Sequence, residues 1–291
     1  MTASSRKSYE FDVEDVEYLR HGDRPLLARL FRPRGDGPFP IIVDLHGGAW
    51  CNGDRQNDKV INEALAKSGV VVAALDFRMP PEAAYPASVA DINYGIRWVK
   101  TRAADLGSRP DLVGALGVSS GGHQAMLNAM RPHDPRYEAV PLPAGAPAVD
   151  ATVRCVILCW PVIDPLARYH YAKKLKAGGQ PYPGVVDRVL PCHDRYWETE
   201  AAMAEGNPVL ALERGERGPL PPALYVQGTL DQAHPRPDLD RFVAYYRAAG
   251  GEVEVELFDG EAEGFINRNP TSPAARQALD RIIDFVHKRV W

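Results

Sequence analysis

The sequence is poor in cysteine, with four in 291 residues. Cys51, Cys155, Cys159 and Cys192 show neither the spacing of metal ligands nor that of a disulfide framework. They read as free thiols of a reducing compartment, and no metal is expected. No stretch reaches the ~18 consecutive apolar residues of a membrane helix, so no membrane span is expected. Charge of one sign is missing as a block: 34 Lys and Arg stand against 38 Asp and Glu, a net charge of −4 dispersed along the chain. That leaves no electrostatic footprint for nucleic acid, and a small molecule becomes the expected partner. Met1 to Phe11 carries Arg6 and Lys7 with no apolar segment behind them, so a secretory leader is not expected and a cytoplasmic location follows.

What is present suits a globular chain: 45% hydrophobic and 25% charged residues, with 25 Gly and 26 Pro that bracket apolar runs instead of forming a tract. Short, β-branched runs occur at Val13–Arg20, Leu26–Arg32, Pro40–Leu45, Val70–Asp76, Leu112–Val118, Val153–Trp160, Ala223–Gln227 and Val253–Phe258. Between the later ones lie stretches of helical period at Asp58–Lys67, Pro86–Leu106, Gly121–Met130, Asp238–Ala249 and Ala274–Arg289. This alternation predicts an α/β fold, a mostly parallel eight-stranded sheet flanked by helices. The first two strands, joined through Gly22-Asp23, read as an antiparallel hairpin at the sheet edge. The length admits two domains of ~150 residues or one long α/β unit; the reading adopted is a single domain over 1–291. Pro161–Asn207 breaks the rhythm, being long, aromatic and weakly helical, and is expected to be a cap insertion, 161–207, over the site.

The run Leu112–Val118 ends in Gly117-Val118-Ser119-Ser120-Gly121-Gly122. A Gly-x-Ser-x-Gly between a buried strand and a helix holds its serine on a strained turn, where only residues without bulk fit at Gly117 and Gly121, so the hydroxyl stands above the sheet. Ser119 is the candidate nucleophile. Upstream, Pro40–Leu45 runs into His46-Gly47-Gly48-Ala49-Trp50. Such a loop can aim backbone N–H groups at one point, and with the N–H of Ser120 it forms an oxyanion hole whose expected donors are Gly48, Ala49 and Ser120. His46 and Gly47 read as the scaffold of that loop.

These motifs, with Asp76-Phe77-Arg78, Pro81-Glu82, Pro86, Asp91 and Trp98 between them, resemble the hormone-sensitive-lipase-like branch of the α/β-hydrolase fold, including its small bacterial esterases. The resemblance runs from Val13 to Val290. It implies a Ser–acid–His triad in that chain order, a cap over an ester-binding pocket, and no cofactor. It assigns the acid to Asp231, in Gly228-Thr229-Leu230-Asp231 after the penultimate strand.

The implied histidine is absent. After the last strand the family carries a Gly-x-x-His-Gly-Phe-like segment, whereas this chain reads Gly260-Glu261-Ala262-Glu263-Gly264-Phe265, with Glu263 at the histidine position. Three readings stand. Glu263 is itself the base, an arrangement similar to the Ser–Glu–Asp triad of sedolisin peptidases, in which two close carboxylates share a proton. Alternatively His234 substitutes from the acid loop, with His123 and His193 as more remote candidates. Or hydrolysis has given way to binding, as in the plant gibberellin receptors that resemble this branch, or to lyase or cyclase chemistry. The reading carried forward is an ester hydrolase with the set Ser119, Glu263 and Asp231, acting on a small-molecule ester-like substrate. Whether the bond is an ester, amide or carbamate, and the oligomeric state, are left open by the sequence.

Overall fold

The computed structural model describes residues 7–290; most of the N-terminal stretch discussed above, Met1 to Arg6, lies outside them. Among the described residues no helix is long and apolar enough to cross a membrane. The chain opens with the hairpin β1 (Phe11–His21) and β2 (Arg24–Pro33), then β3 (Ile41–Leu45), α1 (Lys59–Lys67), β4 (Val71–Leu75), α2 (Ala87–Thr101), β5 (Val113–Val118), α3 (Ser120–Met130) and β6 (Val156–Cys159). Four helices follow, α4 (Pro165–Ala177), α5 (Val185–Trp197), α6 (Glu200–Glu205) and α7 (Pro208–Glu213). The chain closes with β7 (Ala223–Gly228), α8 (Arg236–Ala248), β8 (Val253–Phe258), α9 (Phe265–Arg268) and α10 (Pro273–Val290).

The eight strands make one sheet in the order β1-β2-β4-β3-β5-β6-β7-β8. The β1–β2 and β2–β4 pairs are antiparallel, and every pair from β4 to β8 is parallel. All five residues of β3, β4 and six of β5 are buried, as expected of strands covered on both faces. The period-2 geometry sorts them: Ile41, Val43 and Leu45 join Val71, Ala73 and Leu75 in the core on one face, while Ile42, Val72 and Leu116 join the core on the other.

The site follows from this order. From β3 the chain crosses to β4 on one side and then to β5 on the other, so the sheet reverses winding direction at β3/β5, where the crevice beyond the strand C-termini collects ligands. Leu45 pairs in register with Gly117, which brings the loop after β3 beside the turn after β5.

The expected helix Pro86–Leu106 stops at Thr101. Ala103 and Leu106 remain buried but in turns that bring the Gly107 carbonyl to the Phe39 N–H, so the apolar period there reports burial, not helix. The strand expected over Val153–Trp160 is confined to β6, since Trp160 has φ +38 and leaves the ladder.

Candidate active site

Ser119 has φ 52 and ψ −116 between β5 and α3, a strained conformation fixed by its surroundings. A Cβ on Gly121 would overlap the Leu45 carbonyl, and one on Gly117 would overlap the Gly121 carbonyl. The Gly-x-Ser-x-Gly spacing is therefore a steric demand of strand, turn and helix packed in contact. Ser119 N–H donates to the Cys159 carbonyl, and its own carbonyl accepts from Val162 N–H.

The serine hydroxyl meets a histidine. Ser119 Oγ lies 3.1 Å from His234 Nε2, and His234 Nδ1 lies 2.9 Å from Asp231 Oδ2. The loop after β7 makes this reach possible. Asp231 Oδ1 accepts from the N–H groups of Ala233 at 2.8 Å and His234 at 3.1 Å, an Asx turn that folds the chain back on itself. Gln227 Nε2 donates to the His234 carbonyl at 2.8 Å. Burial pushes the Asp231 carboxyl up, but the adjacent His234 and the hydrogen bonds from its side chain and backbone outweigh this and hold it below its ordinary value. An ionised Asp231 keeps the imidazole proton on Nδ1 and turns the Nε2 lone pair toward the serine.

Glu263 was expected beside the serine as base, and the structure places it elsewhere. Its Oε2 lies 3.5 Å from Arg188 Nη2 and 3.8 Å from Arg268 Nη2, so its carboxylate faces two guanidiniums on the cavity wall. The hydroxyl is contacted by the imidazole of His234 instead.

The loop after β3 is as strained as the elbow: Gly48, Ala49 and Trp50 have φ of 117, 53 and 62. A Cβ on Gly48 would overlap the Asn52 carbonyl. Trp50 N–H donates to Ser120 Oγ at 3.1 Å, tying this loop to the first turn of α3. Among the described residues no backbone carbonyl accepts from Gly48 or Ala49 N–H, and both residues line the same cavity as Ser119. His46 is buried, donates from Nδ1 to the Gly47 carbonyl at 2.7 Å and stacks on Phe77 at 4.4 Å. Burial lowers its pKa, and it braces the loop.

His123 and His193, the other two candidates, are packed away from the serine hydroxyl. His123 accepts from Trp50 Nε1 at 3.2 Å and donates from Nε2 to the Gly206 carbonyl at 2.7 Å. Burial pulls its pKa down to about 4, so it serves as a neutral pin between the β3 loop, α3 and the α6–α7 junction. His193 lies edge-on to Trp50 at 4.9 Å, and burial drives its pKa down. All four cysteines are free thiols.

The cavity above Ser119 measures about 600 Å³. The loop after β3 forms one side, the α9 region contributes Glu263, Asn267 and Arg268, and the helical excursion contributes Arg168 from α4 with Arg188 and Val189 from α5. The sequence reading favoured Glu263 over His234 and did not single out Arg168. The only local signal for His234 was the Asp231-x-x-His234 spacing.

This arrangement, an elbow serine above a mostly parallel sheet with a histidine and a buried aspartate behind it, is that of an α/β-hydrolase. Residues 30–181, just over half of the chain, match the BD-FAE family, and the chain belongs to that family, within the esterase branch of the fold. It is 26% identical to Esterase LipC of Mycobacterium tuberculosis over 86% of this chain and 59% of that protein. It shares its fold with EstE1, a thermostable carboxylesterase cloned from a metagenomic library (TM-score 0.77, 23% identity, 97% of this chain and 91% of the other). A thermophilic esterase of Thermogutta terrifontis, solved with butyrate bound, gives a TM-score of 0.73 at 26% identity over 95% of this chain and 94% of the other. The matches span only 32% to 59% of the length of the first curated relatives.

Proposed function

We propose that this chain is a carboxylic-ester hydrolase that works through an acyl-enzyme on Ser119. The observation that carries the reading is the hydrogen-bond chain from Ser119 Oγ through His234 to Asp231 Oδ2. Ser119 Oγ attacks the ester carbonyl while His234 Nε2 takes its proton as general base. The resulting oxyanion is held by the N–H groups of Gly48, Ala49 and Ser120, the last at the N-terminus of the eleven-residue α3, whose dipole favours negative charge. As the intermediate collapses, His234 passes the proton to the departing alcohol. Water then attacks the acyl-enzyme, His234 takes a proton from it, and collapse releases the acid and returns the proton to Ser119 Oγ. Asp231 fixes the tautomer and offsets the imidazolium charge in both halves. The excursion α4–α6, within 161–207, acts as a cap that bounds the acyl pocket, supported by Arg168, Arg188 and Val189 on the cavity wall. The names of the relatives, esterases and carboxylesterases, agree with this chemistry.

The test is covalent. Intact-mass analysis after a fluorophosphonate should show one adduct, lost in Ser119→Ala; absence of an adduct in the parent chain across a broad pH range would overturn the nucleophile assignment.

A further inference from the structure

Arg168 is a buried cation with no carboxylate of its own. The residue is 2% exposed, yet among the described residues no Asp or Glu lies within ion-pair distance, in contrast to its neighbours Arg188 and Arg268, which share Glu263. Its Nε donates to His193 Nε2 at 3.1 Å, and its guanidinium lies 5.4 Å over the Trp50 ring. Both partners are uncharged. Its Nη2 is buried without any hydrogen-bond partner, and the residue lines the same cavity as Ser119. Burial pulls its pKa down only to about 10, so it is cationic at neutral pH. A buried guanidinium without a counter-ion is costly unless something supplies one.

The carboxylates whose charge acts on Arg168, namely Glu263, Asp238 and Asp231, make no ion pair with it, and burial pushes Asp238 up to about 7. Asp231 serves His234, Glu263 faces two exposed arginines, and burial, reinforced by Asp44, drives the pKa of Asp58 well up. The cavity therefore presents cationic charge in excess beside a nucleophilic serine, and Arg168 Nη2 is left without a hydrogen-bond partner at its wall.

We propose that Arg168 is a specificity-determining residue that binds a carboxylate carried by the substrate, so that the substrates are acidic esters, of which half-esters of dicarboxylic acids are the simplest class. Since His193 occupies Nε, the carboxylate meets the guanidinium end-on through Nη1 and Nη2, a two-donor match that a lysine cannot reproduce. The proposal rests on the ester-hydrolase reading for its reaction but not for its binding step.

The experiment compares monoethyl glutarate with ethyl pentanoate, which differ at the far end by carboxylate against methyl. The intact chain should favour the acidic ester by about tenfold or more in kcat/KM, mainly through KM, the scale of one charged hydrogen-bonded contact. Arg168→Met should collapse the ratio and Arg168→Lys restore part of it. Turnover of the neutral ester with no preference for the acidic one, and a ratio indifferent to Arg168, would overturn this proposal and leave the hydrolase standing. If neither ester is hydrolysed, the hydrolase reading fails, and binding decides the proposal separately. Glutarate should then quench tryptophan fluorescence saturably through Trp50, with no such effect from glutaramide, and no quenching by glutarate would overturn it. The same pair of ligands on the parent chain decides the matter should Arg168→Met not fold.

Discussion

His234 Nδ1 stands 2.9 Å from Asp231 Oδ2 although only three positions separate the two residues in the chain. The resemblance to hormone-sensitive-lipase-like esterases implied acid and histidine on two loops, after β7 and after β8. Here one loop carries both, because the Asp231 carboxylate caps the turn with one oxygen and holds the imidazole with the other. The loop after β8 is thereby relieved of the histidine, and its Glu263 serves the arginines of the cavity wall.

Asp231→Asn separates these two duties. The amide oxygen can still accept from the Ala233 and His234 N–H groups, so the turn should persist. The amide nitrogen cannot accept from His234 Nδ1, which forces the imidazole proton onto Nε2, the wrong nitrogen for a base. The expected result is an unchanged circular dichroism spectrum with kcat down by roughly 10³–10⁴-fold, the scale of the same tautomer lesion in serine proteases.

A second prediction concerns the elbow. Gly121→Ala puts a methyl into the Leu45 and His46 carbonyls, and both belong to the central strand and its loop, which cannot give way cheaply. It should cost about 1–3 kcal/mol in denaturant unfolding and depress activity. Gly184→Ala, where a Cβ meets nothing within 4 Å, should stay within about 0.5 kcal/mol. Equal behaviour of the two would contradict the packing account.

Stability against pH offers a third. Burial pushes the Asp44 carboxyl up to about 7, against weaker opposing hydrogen bonds from Asn62 and Leu45. A raised folded pKa means that the folded chain keeps a proton the unfolded chain has lost, so the group destabilises progressively as pH rises from about 4 to about 7. Asp44→Asn should remove that slope, up to about 1.4 kcal/mol per pH unit, gaining on the parent at pH 8 and not at pH 4. Asp58, raised in the same direction by burial and by Asp44, should leave part of the slope in place.

The elements that rest on local rules were legible in the sequence. The buried strands β3, β4 and β5 showed as apolar runs because both faces are covered, and Ser119 could be placed because Gly117 and Gly121 are demanded by contacts within one strand–turn–helix unit. The partner of Ser119 was not legible in the same way. Which side chain reaches it depends on how the loop after β7 turns, and that turn is decided by two backbone hydrogen bonds to Asp231 that no apolar period reveals. Alignment of Glu263 with a missing histidine pointed to the loop after β8, whereas the side chain beside Ser119 Oγ comes from the loop after β7. Helix α4 was faint because little of it is buried: only Pro165, Arg168 and Ala172 are covered, and one of these is an arginine.

The direct test of the triad is kcat/KM on p-nitrophenyl butyrate for His234→Gln beside Glu263→Gln. With His234 as general base, the first substitution should cost roughly 10²–10⁴-fold, while Glu263→Gln should cost less than about tenfold, its carboxylate being engaged with Arg188 and Arg268. A large loss in Glu263→Gln with His234→Gln spared would contradict the account.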